Sequence, residues 1–492
     1  MRKKHPNLII VMPDELRQQA VGVTKSDPVI TPNIDKFASE SLSLTNALSN
    51  CPICSPARAM LFTGKYPISN GVIDNCYSAV AEYGIELKES EICLSDVLHD
   101  AGYSQGYIGK YHLDLPKVEE AQYTEGWRGN PDKGGTLWDA YTPLGKRRHG
   151  FDFWYSYGCC DKHLSPHYWK NKAGVSERTD VSEWSVKHET DVAIDYIKNK
   201  NDAYRDKAKP FFLMVSHNPP HMPFHDVPEQ YKSLYSGKSP SDLLNRPDAD
   251  ATTAALKSVV NYFAAITGID EHFGRLLKSL EEEGIEEDTI VIFMSDHGEL
   301  MGSHQRMGKN AWQNEALLIP FILRWKGNIT PCSDDLFFNM PDIMPTLLSL
   351  MGLNRAIPEG VEGTDHSEFF LGNTANRPSS GFYLTAQPLF PEERRGIKTL
   401  KHTFVIIRAK DSGEISYVLH DNINDEYQLK NIADGNPELI KKYKKELLQW
   451  LLKTNDPWLQ DKEISMVLEK GIWVKLQKVL ISFSSKIFKF NK

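Results

Sequence analysis

The 492-residue chain is 40% hydrophobic and 25% charged, ordinary globular values that exclude wholesale disorder, collagen and coiled coil. Its 57 Lys and Arg against 65 Asp and Glu leave a net charge of −8 without long single-sign blocks, which argues against a general nucleic-acid binder. The best apolar runs, such as 316–323, fall far short of the roughly 18 residues a membrane span needs.

The chain opens on a basic stretch and then an apolar run, 8–12, too short for a signal-peptide core and without a small-residue cleavage site after it. As written this reads as a cytoplasmic protein, and as a periplasmic or secreted one if the sequence starts after a cleaved signal. Seven cysteines are an odd count for a disulfide framework and read as mostly reduced. The length suits one large α/β domain and a smaller one.

Residues 7–12 form the first strand-length apolar run, repeated at 211–216, 289–294 and 319–325. Continuous rather than alternating hydrophobicity marks strands covered on both faces, as in a parallel sheet between helices. The clearest helix is 252–283, with Val259, Phe263, Ile266, Ile269, Phe273, Leu276, Leu277 and Leu280 at three- and four-residue steps and Gly284 at its exit. These elements predict an α/β domain over 1–375, a large mainly parallel sheet flanked by helices. Beyond it, 381–386, 403–408 and 415–420 read as short strands around the turn 411–413, followed by a helix at 437–453. That predicts a smaller C-terminal α+β subdomain with an antiparallel sheet, over 376–460. The remaining 461–492 is a basic amphipathic tail with Ile472, Trp473, Leu476, Val479 and Leu480 on one side. A membrane-surface helix and a tail packed on its own protein both have that pattern.

Chemistry concentrates first at Cys54-Ser55-Pro56-Ala57-Arg58. Ser55 suits an N-cap, Pro56 the first helical position and Gly64 the exit, which places Cys54 at the mouth of a short helix where backbone N–H groups favour an anion. Arg58 lies one turn in, able to reach back. Cys54 could equally be a buried structural thiol, or half of a Cys51/Cys54 redox or zinc pair in a small interaction module, although no other cysteine supplies a second pair at ligand spacing. Two strand ends carry acids, Asp14-Glu15 after 7–12 and Asp296-His297 after 290–294. Ligands of parallel α/β sheets bind at the carboxyl ends of strands, so these acids can converge on a hard cation, Ca²⁺ or Mg²⁺ rather than zinc.

The string from Cys54 to Arg58, continued by Leu61-Phe62-Thr63-Gly64-Lys65-Tyr66-Pro67, resembles the formylglycine signature of the type I sulfatases, members of the alkaline-phosphatase-like superfamily. Gly109-Lys110-Tyr111-His112-Leu113, the 217–223 loop with His217 and His221, and Gly308-Lys309 are similar to further motifs of that family and come in its order. The resemblance reaches Arg395 to Thr399 and the 421–429 stretch, and so covers nearly all of the chain to about 458. It implies that a maturation enzyme, formylglycine-generating or radical, oxidises Cys54 to an aldehyde whose hydrate attacks sulfur. It implies Asp14, Asp296, His297 and the modified Cys54 as ligands of one Ca²⁺ or Mg²⁺. It gives Arg58, Lys110, His112, His221 and Lys309 as catalytic residues, with His112 handling the nucleophile's proton and His221 near the leaving oxygen. The chain departs from the commonest pattern at Glu15, where many members have Asp, and at His297, where many have Asn; Glu15 is left out of the ligand set.

The implied reaction is hydrolysis of a sulfate monoester of a sulfated carbohydrate, or of an aryl or choline sulfate. Phosphonate monoester or phosphate diester hydrolysis within the same superfamily is the competing expectation. His149, Trp154, Tyr157, His163, His167 and Trp169 lie in a polar, aromatic, loop-like stretch that suits a sugar-binding wall and suits a loop packed on itself equally well.

Overall fold

A computed structural model describes residues 5–124, 126–130, 133–249, 253–373 and 376–468. Ten strands build the main sheet: β1 (Asn7–Val11), β2 (Leu42–Leu48), β3 (Ser104–Lys110), β4 (Phe153–Tyr157), β5 (His167–Lys170), β6 (Thr179–Asp180), β7 (Phe211–Ser216), β8 (Thr289–Met294), β9 (Phe321–Arg324) and β10 (Cys332–Asn339). Their order is β10-β2-β9-β8-β1-β7-β3-β4-β5-β6. The central strands β8, β1, β7, β3 and β4 run parallel, with Leu8 opposite both Phe212 and Ile290. The sheet is mixed, because β9 runs antiparallel between β8 and β2, and β5 and β6 are antiparallel at the other edge. The apolar run at 319–325 contains the buried strand its composition predicts, antiparallel to both neighbours. Burial on both faces demands apolar residues whichever way a strand points.

Side chains alternate across β1 and feed two cores. Leu8, Ile10 and Met12 face α2 (Cys54–Thr63) and α5 (Ile343–Leu350), while Ile9 and Val11 face α1 (Pro32–Ser39), α3 (Ser185–Lys198) and α4 (Thr253–Glu282). The predicted long helix is α4, and Gly284 after it sits in the left-handed region at φ +65°. Among the described residues no helix is long and apolar enough to cross a membrane.

The C-terminal sheet is antiparallel in chain order, β11 (Gly381–Thr385), β12 (Glu392–Lys398), β13 (His402–Ala409) and β14 (Ile415–Asp421), followed by α6 (Pro437–Lys453). Its Phe382, Leu384, Phe404 and Leu419, with Tyr443, Leu447 and Leu451 of α6, join the same core as Leu8 and Met60. Phe382 stacks on Trp450 with ring centres 5.6 Å apart. Buried Arg395 donates from Nε to Asp456 Oδ2 at 2.6 Å and lies over the Trp458 ring, while Asp456 also caps the turn Pro457–Gln460. Of the predicted tail, Lys462–Leu468 is a short helix with Ile464 and Leu468 buried. Ile472, Trp473, Leu476, Val479 and Leu480 lie outside the described residues.

One backbone contact fixes how closely the central strands approach. Gly109, at φ +95°, lies so near β7 that a Cβ there would stand 2.1 Å from the Ser216 carbonyl oxygen. Only glycine fits beside Lys110.

Arg395 and Asp456 form an ion pair inside the interface between the C-terminal sheet and its last turn. Replacing Asp456 with Ala should leave the guanidinium buried without its carboxylate and cost about 3–5 kcal/mol. Thermal unfolding of the variant should show a lowered midpoint; an unchanged midpoint would mean the pair adds nothing to the docking.

Candidate active site

Four parallel strands deliver the site at their carboxyl ends. Asp14 follows β1, Lys110 ends β3, His217 follows β7, and Asp296 and His297 follow β8. The Asp14 amide donates to the His217 carbonyl, so β1 and β7 stay joined past the regular sheet. Cys54 begins α2, whose ten residues are all buried. The helix starts two residues earlier than its sequence suggests. Ile53 is the residue before it, and Ser55, expected as the cap, instead donates its hydroxyl to the His112 carbonyl and accepts from the Cys76 amide.

Charges surround the Cys54 thiol. His297 Nε2 lies 3.2 Å from Sγ, Lys309 Nζ 3.4 Å, Asp14 Oδ1 3.6 Å and Lys110 Nζ 3.9 Å. Burial, reinforced by Asp14, pushes the thiol up to about 11, so it is protonated at neutral pH. A thiol in that state is a weak nucleophile.

Arg58 donates Nε to Asp296 Oδ2, one Nη to both Asp14 and Asp296, and the other to the Lys110 carbonyl and Ser216 Oγ. All its donors are spent on the protein. It holds the two carboxylates together rather than reaching the helix mouth. Burial opposes ionisation of Asp14, yet Lys110 at 2.7 Å, with Lys309 and Arg58, outweighs it and keeps the carboxyl well below its usual range. Asp296 Oδ1 accepts from the backbone amides of Glu15 and His297.

His297 Nδ1 must carry its proton, since it contacts the Gly298 carbonyl at 3.0 Å. Burial lowers its pKa, so Nε2 presents a lone pair to the thiol and both aspartates. Asp14, Cys54, Asp296 and His297 each offer one donor atom within 4.8 Å of the others. Glu15, in the left-handed region at φ +67°, points elsewhere: its Oε2 stands 3.1 Å from Lys309 Nζ and 3.4 Å from His221 Nε2. Burial and the neighbouring Glu299 push its carboxyl well above the usual range.

The two remaining histidines differ in wiring. Both ring nitrogens of buried His112 lack a hydrogen-bond partner among the described residues, and burial, Lys110 and Arg58 hold its pKa well below normal. His221 donates Nδ1–H to the Met222 carbonyl at 2.7 Å, and burial, Lys309 and Lys110 keep it neutral. Cys51 is buried and belongs to no cluster of three or more candidate ligands among the described residues.

The aromatic stretch at 149–169 packs into the body of the protein around it. His149 pairs with Asp96, Trp154 stacks on Tyr107, Tyr157 donates to Glu189, His167 pairs with Asp139, and Trp169 donates to the Val175 carbonyl. His163 alone approaches the site, through Asn218. Asn218, unremarked within its loop, accepts from Lys110 Nζ at 3.0 Å. Glu189, deep in α3, accepts from His217 at 2.6 Å and from Tyr168 at 3.0 Å, a role no motif signals. The loop carrying Lys309 is braced from outside the main sheet. The Asn310 amide donates to the Pro52 carbonyl, and Arg394 of β12 donates to the Asn310 carbonyl. Asn310 and Asp74 are bridged by Gln387, and neighbouring Asn75 accepts from the Ser55 amide.

Comparison with known proteins identifies the family. Residues 6–353 match the family model described as Sulfatase. The chain is 40% identical to an endo-4-O-sulfatase of Bacteroides thetaiotaomicron, over 94% of this chain and 95% of that protein. It is 31% identical to an ulvan-active sulfatase of Formosa agariphila, over 88% and 78%. A solved structure from work on glycosaminoglycan metabolism by Bacteroides thetaiotaomicron superposes with a TM-score of 0.88 at 38% identity, covering 94% of this chain and 99% of that one. The chain belongs to the sulfatase family and is a sulfuric ester hydrolase.

Proposed function

We propose that this enzyme removes sulfate from a sulfated glycan, at a 4-O-sulfated sugar, using a formylglycine made from Cys54 and one divalent cation, Ca²⁺ or Mg²⁺. The observation that carries the reading is the buried thiol ringed by His297, Lys309, Asp14 and Lys110 at 3.2–3.9 Å. A protonated thiol so placed is a poor reagent for sulfur, whereas an aldehyde hydrate on the Cβ of the same residue supplies one hydroxyl for attack and a second for release of sulfate. The relatives named for 4-O-sulfate and ulvan supply the substrate class.

Two carboxylate oxygens and one neutral imidazole nitrogen suit a hard divalent cation, which, when bound, would supply positive charge to offset that of the sulfate. The protein's own groups do the rest. Arg58 fixes Asp14 and Asp296 as ligands without touching substrate. Lys110 and Lys309 flank the reacting atom and offset the sulfate's charge in a buried site, where such charge acts strongly. His112, with both nitrogens unengaged, takes or returns the proton of the nucleophile. His221 keeps Nε2 toward the site while Met222 holds its other nitrogen. An incoming sulfate offsets the lysine charges that hold His221 neutral, so that it gains a proton and passes it to the leaving oxygen.

Enzyme produced with a maturation enzyme should release sulfate from a 4-O-sulfated disaccharide and leave a phenyl phosphonate ester nearly untouched. The Cys54→Ala variant should be inert on both. Faster hydrolysis of the phosphonate would reject the sulfatase reading.

Asp296→Asn removes half of the charge that Arg58 aligns. The variant should lose bound Ca²⁺ or Mg²⁺ by elemental analysis together with turnover, and zinc at one equivalent in active wild type would reject the ligand assignment.

His221→Ala should lower turnover of a sulfated sugar by roughly 10²–10⁴, because an alkoxide needs the proton. Nitrophenyl sulfate, whose phenolate leaves unaided, should suffer far less; equal losses on both substrates would leave His221 a positioning role only.

A further inference from the structure

Beside His221 the chain builds a second polar recess that the sulfate chemistry does not use. About 150 Å³ of space lies between residues 126–128 and 159–162, with His167 also on its wall. Arg128 spends Nε and one Nη on a single oxygen of Asp161, at 2.9 and 2.5 Å. Its guanidinium lies 4.0 Å from the centre of the Trp138 ring, and Trp138 in turn stacks on Tyr77 with centres 4.5 Å apart. The other Nη makes no hydrogen bond among the described residues, and the side chain is 33% exposed.

The recess adjoins the chemistry. The second oxygen of Asp161 stands 3.6 Å from His221 Nδ1, and Cys159, 3.8 Å from Arg128, has the charge of Lys110 and the thiol of Cys54 among its neighbours. The charge of Arg128 also helps to hold His112 and His221 low. Asp161 thus joins Arg128 to His221, the histidine assigned above to the leaving oxygen. Burial works against charge on His167, but Asp139 at 2.7 Å holds it protonated, pushed up to about 10, so that this wall of the recess is a closed ion pair.

We propose that Arg128, stacked on Trp138 and aligned by Asp161, binds the carboxylate of a hexuronate ring adjoining the sulfated sugar. This rests on the glycan reading above. A guanidinium with one edge tied to Asp161 and its face on an indole presents its remaining edge already oriented, and a planar carboxylate meets that edge with charge-assisted hydrogen bonds. Because the side chain is held before substrate arrives, little rotamer freedom is lost on binding. A hydroxymethyl group in the same place forms weaker bonds, without the charge assistance a carboxylate brings.

The test compares a 4-O-sulfated N-acetylhexosamine linked to a hexuronate with the same disaccharide after reduction of its carboxyl to an alcohol. Wild-type holoenzyme should favour the carboxylate form by about 10- to 100-fold in kcat/KM. Arg128→Gln should bring that ratio close to one. Because the ratio is internal to each preparation, partial misfolding cancels from it. Asp161→Asn, which removes the alignment but keeps the cation, should lower the ratio less. A wild-type ratio near one, or an unchanged ratio in Arg128→Gln, would overturn the site while sulfate release from both sugars kept the glycan reading intact. A stronger preference for a second sulfate at that ring than for the carboxylate would likewise overturn it. Turnover of nitrophenyl sulfate with neither disaccharide cleaved would sink the glycan reading and this inference together.

Discussion

The site depends on one buried guanidinium. Asp14 and Asp296 belong to strands that start nearly 300 residues apart in the chain, and two carboxylates brought together away from water repel each other strongly. Arg58 sits between them and contacts both, with its remaining donors on Lys110 and Ser216. In this way α2, β1, β3, β7 and β8 are tied through one planar group. Removing either carboxylate leaves Arg58 buried with a partner missing, and removing Arg58 leaves two anions facing each other. Either change alters the shape of the site as well as its charge.

Much of this was legible in the sequence, for identifiable reasons. β1, β7 and β8 are covered on both faces, so their composition is apolar throughout and the runs stand out. Motif spacing brought Asp14, Cys54, Lys110, Asp296, His297 and Lys309 together, and the structure places them around one sulfur atom. β3 escaped notice because Ser104, Gln105, Gly106 and Lys110 are not a buried-strand composition. The fold accommodates them by pairing each polar group, Gln105 with the Ser95 and Gly150 carbonyls and Lys110 with Asp14. Arg58 was read as a substrate-facing cation because sequence cannot say which of two anions, bound or built-in, a buried arginine will take. The aromatic stretch at 149–169 was ambiguous because rings that stack on a sugar and rings that stack on one another have the same composition.

Electrostatics divide the two histidines that flank the reacting atom. His112 and His221 are each buried beside lysines and are each neutral, yet only His221 has a nitrogen committed to a carbonyl. Met222 thereby fixes which nitrogen of His221 faces the site. His112 is free of any such constraint and can present either nitrogen. One ring is held in a single orientation and the other keeps both nitrogens unengaged.

The bracing of the Lys309 loop by β12 and Gln387 makes the C-terminal sheet part of the apparatus without giving it a reacting atom. Every residue that surrounds the Cys54 sulfur precedes residue 310, so a fragment cut near residue 375 would retain the complete chemical inventory. It would nonetheless have lost the Arg394 contact to Asn310 and the Gln387 bridge to Asp74, and the core under α2 would face water where Phe382, Leu384 and Phe404 now cover it. Sequence change in that sheet can thus shift the distance between Lys309 and the nucleophile by remote leverage, and related enzymes can diverge in rate while every motif around the sulfur stays letter for letter the same.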